Sequence, residues 1–279
     1  MVAVGLVGCG TIGAGLARAI ERKHRHAARI VALHDRDRTQ ALRVQRQLRE
    51  SPPICSLPSL IRRSQLIIEA ASVEAAARVV PLALRARRSV LVMSVGGLLR
   101  NRSWQRLARA TPTPHGRGGW DLRPRVYIPS GALAGLDGVK AMAVGRIRGA
   151  WLTTRKPPQA LAEAPYVRRK GLNLVGRRRA VVIWSGSARS VIEAFPQNTN
   201  VAATLALASG SDRRVRVRVV ADPTLRTNVH ELEVRGDRGR LLCRVESEPS
   251  RTNPKTSEQA LRSAVAMLDE IFGPVIIGT

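Results

Sequence analysis

Two kinds of apolar pattern alternate along the first half of the chain. Short, nearly continuous apolar runs predict strands that are buried on both faces: Val2–Gly8, Ile30–His34, Leu66–Ala70 and Ser89–Ser94. Between them, apolar residues recur at helical spacing in Ile12–Glu21, from Asp37 to about Leu48, in Leu57–Arg63 and in Val73–Ala86. Strands and helices that alternate with short connections predict a parallel sheet with right-handed crossovers. We therefore expect an α/β protein with an N-terminal, doubly wound Rossmann sheet.

The pattern changes in the second half, where longer alternating runs predict a second α+β domain on a mostly antiparallel sheet. The predicted strands are Ala150–Thr154, Ala180–Trp184, Val215–Ala221, Val229–Arg235 and Arg240–Ser247. A helix is predicted over Asn198–Ala208, and a terminal amphipathic helix over Ser257–Ile271. We expect three segments: a dinucleotide-binding domain over residues 1–130, a substrate and dimerisation domain over 131–256, and a C-terminal helix in 257–279 that packs on the first domain.

A glycine-rich motif follows the first predicted strand. Gly8-Cys-Gly-Thr-Ile-Gly13 has the G-x-G-x-x-G spacing, with a strand before it and a helix after it. The first glycine permits a tight turn, the second lets a pyrophosphate approach the backbone, and the third lets helix and strand pack closely. The motif predicts a dinucleotide site that uses Gly8, Gly10, Thr11, Ile12 and Gly13.

Asp35 ends the second predicted strand, where an acidic side chain binds the ribose hydroxyls of NAD. Its charge would repel the additional phosphate of NADP, whereas Arg36 and Arg38 could attract that phosphate. The sequence therefore favours NAD and leaves NADP open. Gly96-Gly97, after the fourth strand, indicates either a backbone approach to the cofactor or a plain turn.

Histidine is the side chain best suited to acid–base chemistry near neutral pH. Of the five histidines, His24 and His26 lie in a basic segment that we expect to be solvated, and His115 lies in a Pro/Gly-rich loop over 111–124. His230, at the entry to a strand of the second domain, is the candidate catalytic residue. The three cysteines are scattered, which argues against a disulfide framework, and no zinc-ligand spacing is present, so no metal is expected.

The formal net charge is +27, and only five of the 47 basic residues are lysine. Such a charge can indicate nucleic-acid binding, but the arginines are spread along the whole chain without a basic–aromatic module. We expect no nucleic-acid partner and no membrane partner. No apolar run approaches the roughly 20 residues of a spanning helix, and no targeting segment is apparent, which favours the cytoplasm.

Several segments together resemble the L-aspartate dehydrogenase family. The matching segments include PSGALAGLDG at 129–138, LTTRKPP at 152–158, FPQNTNVAATLALA at 195–208 and ADPTLRTNVHELEV at 221–234. PSGALAGLDG, TTRKPP and NVHELEV are the more specific among them. The resemblance implies NAD(P)-dependent oxidation of L-aspartate to iminoaspartate, which hydrolyses to oxaloacetate and ammonia or feeds NAD biosynthesis, in a homodimer. The sequence alternatives are a related Rossmann oxidoreductase for another small anion, or a dinucleotide-binding protein without catalysis.

The resemblance also assigns residues. It matches His230 to the active-site histidine of the family, and Ala134 and Asn200 to positions that contact NAD. Arg155 and Lys156 of the LTTRKPP segment are candidate ligands for the substrate carboxylates, because cationic side chains bind carboxylates by charge-assisted hydrogen bonds.

Overall fold

A computed structural model of the protein describes residues 1–110, 123–174, 176–196, 199–248 and 257–278. The chain divides into two compact units. Unit 1 comprises Met1–Pro129 and Ala264–Ile276, and unit 2 comprises Ser130–Ser263 and Ile277–Thr279. His115 and most of the Pro/Gly-rich loop lie outside the described residues. No helix within the described ranges is long and apolar enough to cross a membrane.

Unit 1 is built on a sheet of five strands, all parallel, in the spatial order β2-β1-β3-β4-β5. The strands are β1 (Val2–Val7), β2 (Ala28–His34), β3 (Leu66–Glu69), β4 (Ser89–Val92) and β5 (Val126–Tyr127). The helices are α1 (Thr11–Ala19), α2 (Arg38–Gln45), α3 (Leu57–Arg63), α4 (Val73–Arg85), α5 (Gly96–Arg100) and α6 (Ser103–Ala110). This all-parallel sheet confirms the Rossmann prediction. Apolar runs that are buried on both faces are typical of parallel strands covered by helices on each side.

The helices of unit 1 begin where side chains can cap them. The Asp37 carboxylate accepts a hydrogen bond from the backbone N–H of Thr39 at 2.9 Å and starts α2. The Ser72 hydroxyl accepts one from Ala75 at 3.2 Å and starts α4. Asp37, at which the sequence places the start of this helix, is therefore its N-cap.

Gly96 and Gly97 are the first residues of a short helix, so the plain turn that the sequence left open is wrong, and the approach to the cofactor stays a prediction. A Cβ on Gly97 would lie 2.5 Å from the carbonyl oxygen of Val73 and 2.7 Å from the Cβ of Ala76. The glycine thus permits α5 to pack closely against α4.

His24 is also different from the expectation, because it is buried rather than solvated. Its Nε2 lies 2.9 Å from the Asp269 carboxylate, and its ring packs on Phe272 with the centroids 5.4 Å apart. Both partners lie on α12 (Glu258–Phe272), of which the part from Ala264 onward belongs to unit 1. The sequence pattern around His24 is basic, and it gave no signal of this tertiary contact.

Unit 2 is built on a second sheet in the order β10-β9-β6-β8-β7. The strands are β6 (Ile147–Lys156), β7 (Val181–Ser187), β8 (Val215–Ala221), β9 (Asn228–Gly236) and β10 (Arg240–Ser247). Only β6 and β8 are parallel among the paired strands described, so the mostly antiparallel prediction is confirmed. The helices of this unit are α7 (Leu136–Val144), α8 (Pro158–Leu161), α9 (Pro165–Arg169), α10 (Val191–Ala194) and α11 (Thr199–Ala208).

Alternating residues of the central strands of unit 2 point to opposite faces of the sheet. On β6, Ala150, Leu152 and Thr154 are fully buried, whereas Trp151 and Thr153 are partly exposed. One face of the sheet is therefore the core of the unit and the other is open to solvent.

Candidate functional site

The glycine-rich turn of unit 1 joins β1 to α1 and has the geometry that its sequence predicts. Gly8 has a φ of +92°, and a Cβ there would lie 2.6 Å from the carbonyl carbon and oxygen of Ala70. A Cβ on Gly13 would collide with the carbonyl oxygen of Gly8, so the start of α1 can approach the turn only without a side chain. A Cβ on Gly10 would meet no atom within 4 Å, which leaves the surface above this residue open.

A cavity of about 390 Å³ lies at this turn, along the carboxyl ends of β1, β2 and β3. In open α/β sheets, ligands bind at this edge. The residues that line the cavity come from the ends of the three strands and from the first turns of α2 and α4; they include Gly8, Gly10, Asp35, Arg36, Ala71 and Arg78. Thr11 and Ile12 begin α1 directly beside it, and no described side chain caps that helix. Its first N–H groups can therefore serve a phosphate.

Asp35 lies at the rim of the cavity, with its carboxylate already oriented. One oxygen accepts a hydrogen bond from the Cys9 N–H at 2.6 Å, and the other accepts one from the Asp37 N–H at 2.9 Å. Burial, and to a lesser extent the charge of Asp35, raise the pKa of the Cys9 thiol to about 12. Cys9 therefore stays protonated and fills space in the turn.

Glu69 is a buried acidic residue that sequence reasoning missed. It is the last residue of β3 and is 0% exposed, and burial raises the pKa of its carboxyl group. One oxygen accepts hydrogen bonds from the Ala71 N–H and the Ser94 hydroxyl, both at 2.9 Å, and the other accepts one from the Ser94 N–H at 3.0 Å. The carboxylate thus ties together the loops that follow β3 and β4.

These features fit a dinucleotide. The turn leaves open backbone at Gly10, the helix start offers N–H donors, and an acidic side chain stands at the end of β2, where a ribose is bound in folds of this kind. Arg36 and Arg78 bring positive charge to the same cavity, whereas Arg38 does not line it.

His230 lies on β9 in unit 2, on the buried face of the sheet, and is 5% exposed. Its Nδ1 lies 3.0 Å from the hydroxyl oxygen of Thr154, its cross-strand neighbour on β6. Burial first, and then the charge of Lys156, lower the pKa of the imidazole to about 3. The residue type alone predicts a base that titrates near neutrality; a pKa this low keeps the ring neutral at pH 7, and Thr154 fixes its orientation.

Lys156 ends β6 on the same face, two residues beyond Thr154, and is 6% exposed. Burial lowers the pKa of its amine to about 8. Arg155, by contrast, points to the opposite face, where its Nε lies 2.9 Å from the Glu231 carboxylate and its Nη1 lies 3.8 Å from that of Asp222. The structure therefore brings Lys156 to His230 and does not bring Arg155 there.

The other two sequence candidates of unit 2 lie in exposed positions. Ala134 precedes α7, and Asn200 is in the first turn of α11. The described residues contain no group of three or more His, Cys, Asp or Glu side chains that could hold a metal ion.

Comparisons with known proteins agree with this architecture. Residues 8–117 match a family described as homoserine dehydrogenase, NAD binding domain, and residues 137–271 match one described as aspartate dehydrogenase, C-terminal. Proteins named L-aspartate dehydrogenase from Methanosarcina barkeri and Methanosarcina acetivorans are 41% and 40% identical to the chain, in each case over 100% of both sequences. The crystal structure of an aspartate dehydrogenase from Thermotoga maritima has the same fold, with a TM-score of 0.72 over 100% of both chains at 22% identity.

Proposed function

Because the chain belongs to the L-aspartate dehydrogenase family, we propose that it oxidises L-aspartate to iminoaspartate with NAD or NADP as the hydride acceptor. The observation that carries this proposal is the similarity to enzymes of that name, which spans the whole chain. The second sheet also holds His230 and Lys156 together on its buried face. Iminoaspartate then hydrolyses to oxaloacetate and ammonia.

The proposed cofactor site uses Gly8, Gly10, Thr11, Ile12, Gly13 and Asp35 in unit 1, with Ala134 and Asn200 of unit 2 as further contacts. Its support in unit 1 is the open backbone at Gly10 and the oriented Asp35 carboxylate. When bound, NAD(P)+ supplies the acceptor for the hydride that leaves Cα of the substrate. We propose that unit 1 is the dinucleotide-binding part of the chain and that unit 2 supplies the substrate-binding side chains.

His230 is the proposed proton acceptor. The amine of the substrate must lose its proton as the imine forms, and a neutral imidazole with one nitrogen fixed by Thr154 offers its other nitrogen as an acceptor. A pKa of about 3 makes it a weak base in the free protein. A dicarboxylate bound beside it would offset the charge of Lys156 and raise that pKa, since a nearby negative charge favours the protonated ring.

The direct test is the absorbance of NADH when the purified protein meets NAD and L-aspartate, with L-glutamate, L-homoserine and L-malate as competing substrates. We expect reduction with L-aspartate, and we expect His230→Ala to lower turnover by about 100-fold or more, the usual contribution of a general base. NADH binding, followed by fluorescence titration, should be unchanged in that variant. Near-normal turnover would exclude His230 from the role, and reduction with another substrate alone would reassign the enzyme.

We also propose that the protein is a homodimer, and the support is the open face of the second sheet. Leu242 and Val182 are 61% and 54% exposed there. Around Leu242, arginines and glutamates alternate at a depression of about 660 Å³, with Arg244 bridging Glu231 and Glu246. A face that carries both charges beside apolar side chains can complement a second copy of itself across a twofold axis.

Two further proposals concern the setting of the enzyme. We propose that it works in the cytoplasm, which is supported by the free thiols of Cys9, Cys55 and Cys243. We propose as well that its iminoaspartate can feed NAD biosynthesis, on the basis of the family resemblance. Retention of iminoaspartate by a coupled consuming enzyme, instead of its release as oxaloacetate, would support the second idea.

A further inference from the structure

Strand register arranges the buried face of the second sheet in rows that cross four strands. Two successive rows are apolar: Val215, Ala150, Val234 and Leu241, followed by Val217, Leu152, Leu232 and Cys243. The next row is Val219, Thr154, His230 and Val245. The polar character therefore begins abruptly at the row of His230.

One row further on, the face becomes more polar still. Lys156 pairs with Ala221 on β8, and Asn228 pairs with Ser247 on β10. Lys156 also follows Arg155, whose partner across the strands is Val229, so Lys156 and Asn228 share a row. Lys156, Asn228 and Ser247 are each 6% exposed. Three polar side chains thus stand side by side at the buried end of the sheet.

This row has hydrogen-bonding capacity that the described residues do not use. The Ser247 hydroxyl oxygen is buried and has no hydrogen-bond partner in the described part of the chain. The Lys156 ammonium forms no ion pair with a described residue. Asp222, the acidic residue that follows β8, is already engaged, because its carboxylate accepts hydrogen bonds from the N–H and the hydroxyl of Thr224.

A buried cation without a counter-ion and a buried hydroxyl without a partner are both costly, and buried polar groups in native proteins are normally satisfied. A carboxylate offers two acceptor oxygens and one negative charge, which are the complements of the two groups. Residues two apart on a strand are separated by about 6.6 Å. That spacing allows one small substrate to present its amine to His230 and a carboxylate to the neighbouring row.

We propose that Lys156, Asn228 and Ser247 form the subsite that binds one carboxylate of the substrate beside His230. This inference rests on the proposed function, because it takes L-aspartate as the ligand. Lys156 supplies the charge, and the amide of Asn228 and the hydroxyl of Ser247 supply donors that fix the orientation of the carboxylate.

The test combines steady-state kinetics with inhibition by succinate, a dicarboxylate that has no amine to oxidise. We expect Lys156→Met to raise the KM for L-aspartate and the inhibition constant for succinate about 10- to 100-fold, the effect of losing a hydrogen bond to a charged group. Ser247→Ala should raise both about 3- to 10-fold, as for a neutral donor. Lys140→Met, at a half-exposed position of α7, and Ser185→Ala, at an exposed position of β7, are the matched controls and should change neither constant.

NADH titration reports on the fold of each variant and on the dinucleotide site independently of turnover. One outcome would overturn the subsite and leave the proposed function standing. In that outcome the wild type oxidises L-aspartate, and both Lys156→Met and Ser247→Ala keep the wild-type KM for L-aspartate and inhibition constant for succinate. A wild-type protein that neither oxidises L-aspartate nor binds succinate would overturn both. If Lys156→Met does not fold, the KM and the inhibition constant of Ser247→Ala alone decide whether the subsite exists.

Discussion

Lys156 and His230 are two ionisable side chains that the fold keeps almost wholly out of water. Burial lowers the pKa of both, since the charged form of each is disfavoured away from solvent. Such groups weaken the folded state. They are therefore informative about function, because a chain retains an arrangement of this kind where chemistry requires it.

The cost of Lys156 can be measured. Its amine has a pKa of about 8 in the folded protein, against 10.5 for the unfolded side chain, so the unfolded chain binds the proton more tightly. Below pH 8 the penalty is complete, and it disappears as the pH rises through 10.5. We expect Lys156→Met to increase the free energy of unfolding at pH 7 by up to about 3 kcal/mol.

Urea unfolding at pH 7 and at pH 10.5 checks this expectation, with Lys140→Met as the control. The advantage of the Lys156→Met variant should be clear at the lower pH and should shrink at the higher one. An advantage that is equal at both values would mean that packing of the methionine, rather than removal of a buried charge, is responsible.

We expect Asp35 to determine which dinucleotide is bound more tightly. Its carboxylate is held by the N–H groups of Cys9 and Asp37, so it presents fixed negative charge at the rim of the cavity. We expect Asp35→Ala to raise the KM for NAD about 10- to 100-fold, because the ribose hydroxyls lose a charged acceptor. The KM for NADP should rise much less, since repulsion of its phosphate is removed as well.

Initial rates with the two cofactors measure the ratio of KM values. Asp37→Ala is the control, because that carboxylate caps α2 and should not discriminate between the cofactors. A change of equal size for NAD and NADP in Asp35→Ala would refute the assignment.

At the scale of elements, the junction of β1 and α1 separates two roles of glycine. Gly13 is needed for packing, because a Cβ there would collide with the carbonyl oxygen of Gly8. Gly10 has open space in front of it. The same substitution should therefore have different consequences at the two positions.

We expect Gly13→Ala to destabilise the protein by about 1–3 kcal/mol, as overpacking does, with a clear fall in Tm. Gly10→Ala should keep the wild-type Tm and bind NADH less tightly, because its methyl group occupies the space in which a pyrophosphate would lie. Thermal unfolding and fluorescence titration of both variants measure these effects. Unchanged NADH affinity in Gly10→Ala would mean that the phosphates lie elsewhere.

The elements that were predictable from the sequence are those whose pattern reflects burial on their own faces. The strand Val215–Ala221 has the same bounds in the prediction and the structure. The four- and five-residue helices α5, α8, α9 and α10 were missed, because segments of that length have too few turns to show a periodic pattern.

In the candidate site, the individual residues were predictable but their contacts were not. The sequence indicated His230 and Lys156, yet Thr154 contacts His230 from 76 residues away in the chain. Such a pair depends on the register of β6 against β9, which a single sequence does not specify. Polar residues at every second position, as in Thr154 and Lys156 or in Asn228 and His230, were the available signal.

At the scale of the whole molecule, the open face of the second sheet is the feature that a homodimer would cover. The arginine excess contributes directly to this face, where Arg155, Arg235, Arg240 and Arg244 pair with Glu231 and Glu233. Exposed pairs of this kind add little stability within one chain, and they can specify which surface is recognised.

We expect Leu242→Glu to convert a dimer into a monomer, because it replaces an exposed apolar side chain of this face with a charge and adds a third carboxylate beside Glu231 and Glu233. Size-exclusion chromatography with light scattering measures the mass in solution. Val144→Glu is the control, since Val144 is 92% exposed at the end of α7, away from this sheet face. A wild-type protein with the mass of one chain would remove the homodimer proposal, and a Leu242→Glu variant that stays dimeric would move the interface elsewhere.

The buried Glu69 carboxylate has a consequence for the thermodynamics of cofactor capture. With three hydrogen bonds it immobilises the loops after β3 and β4 in the protein alone. A dinucleotide that binds at this edge therefore does not have to order these two loops, so little of its interaction energy is lost as conformational entropy of the chain. Calorimetry should accordingly find a small entropic penalty for the binding of NADH to the wild type. The penalty should be larger in Glu69→Gln, which loses one of the carboxylate oxygens that hold the two loops.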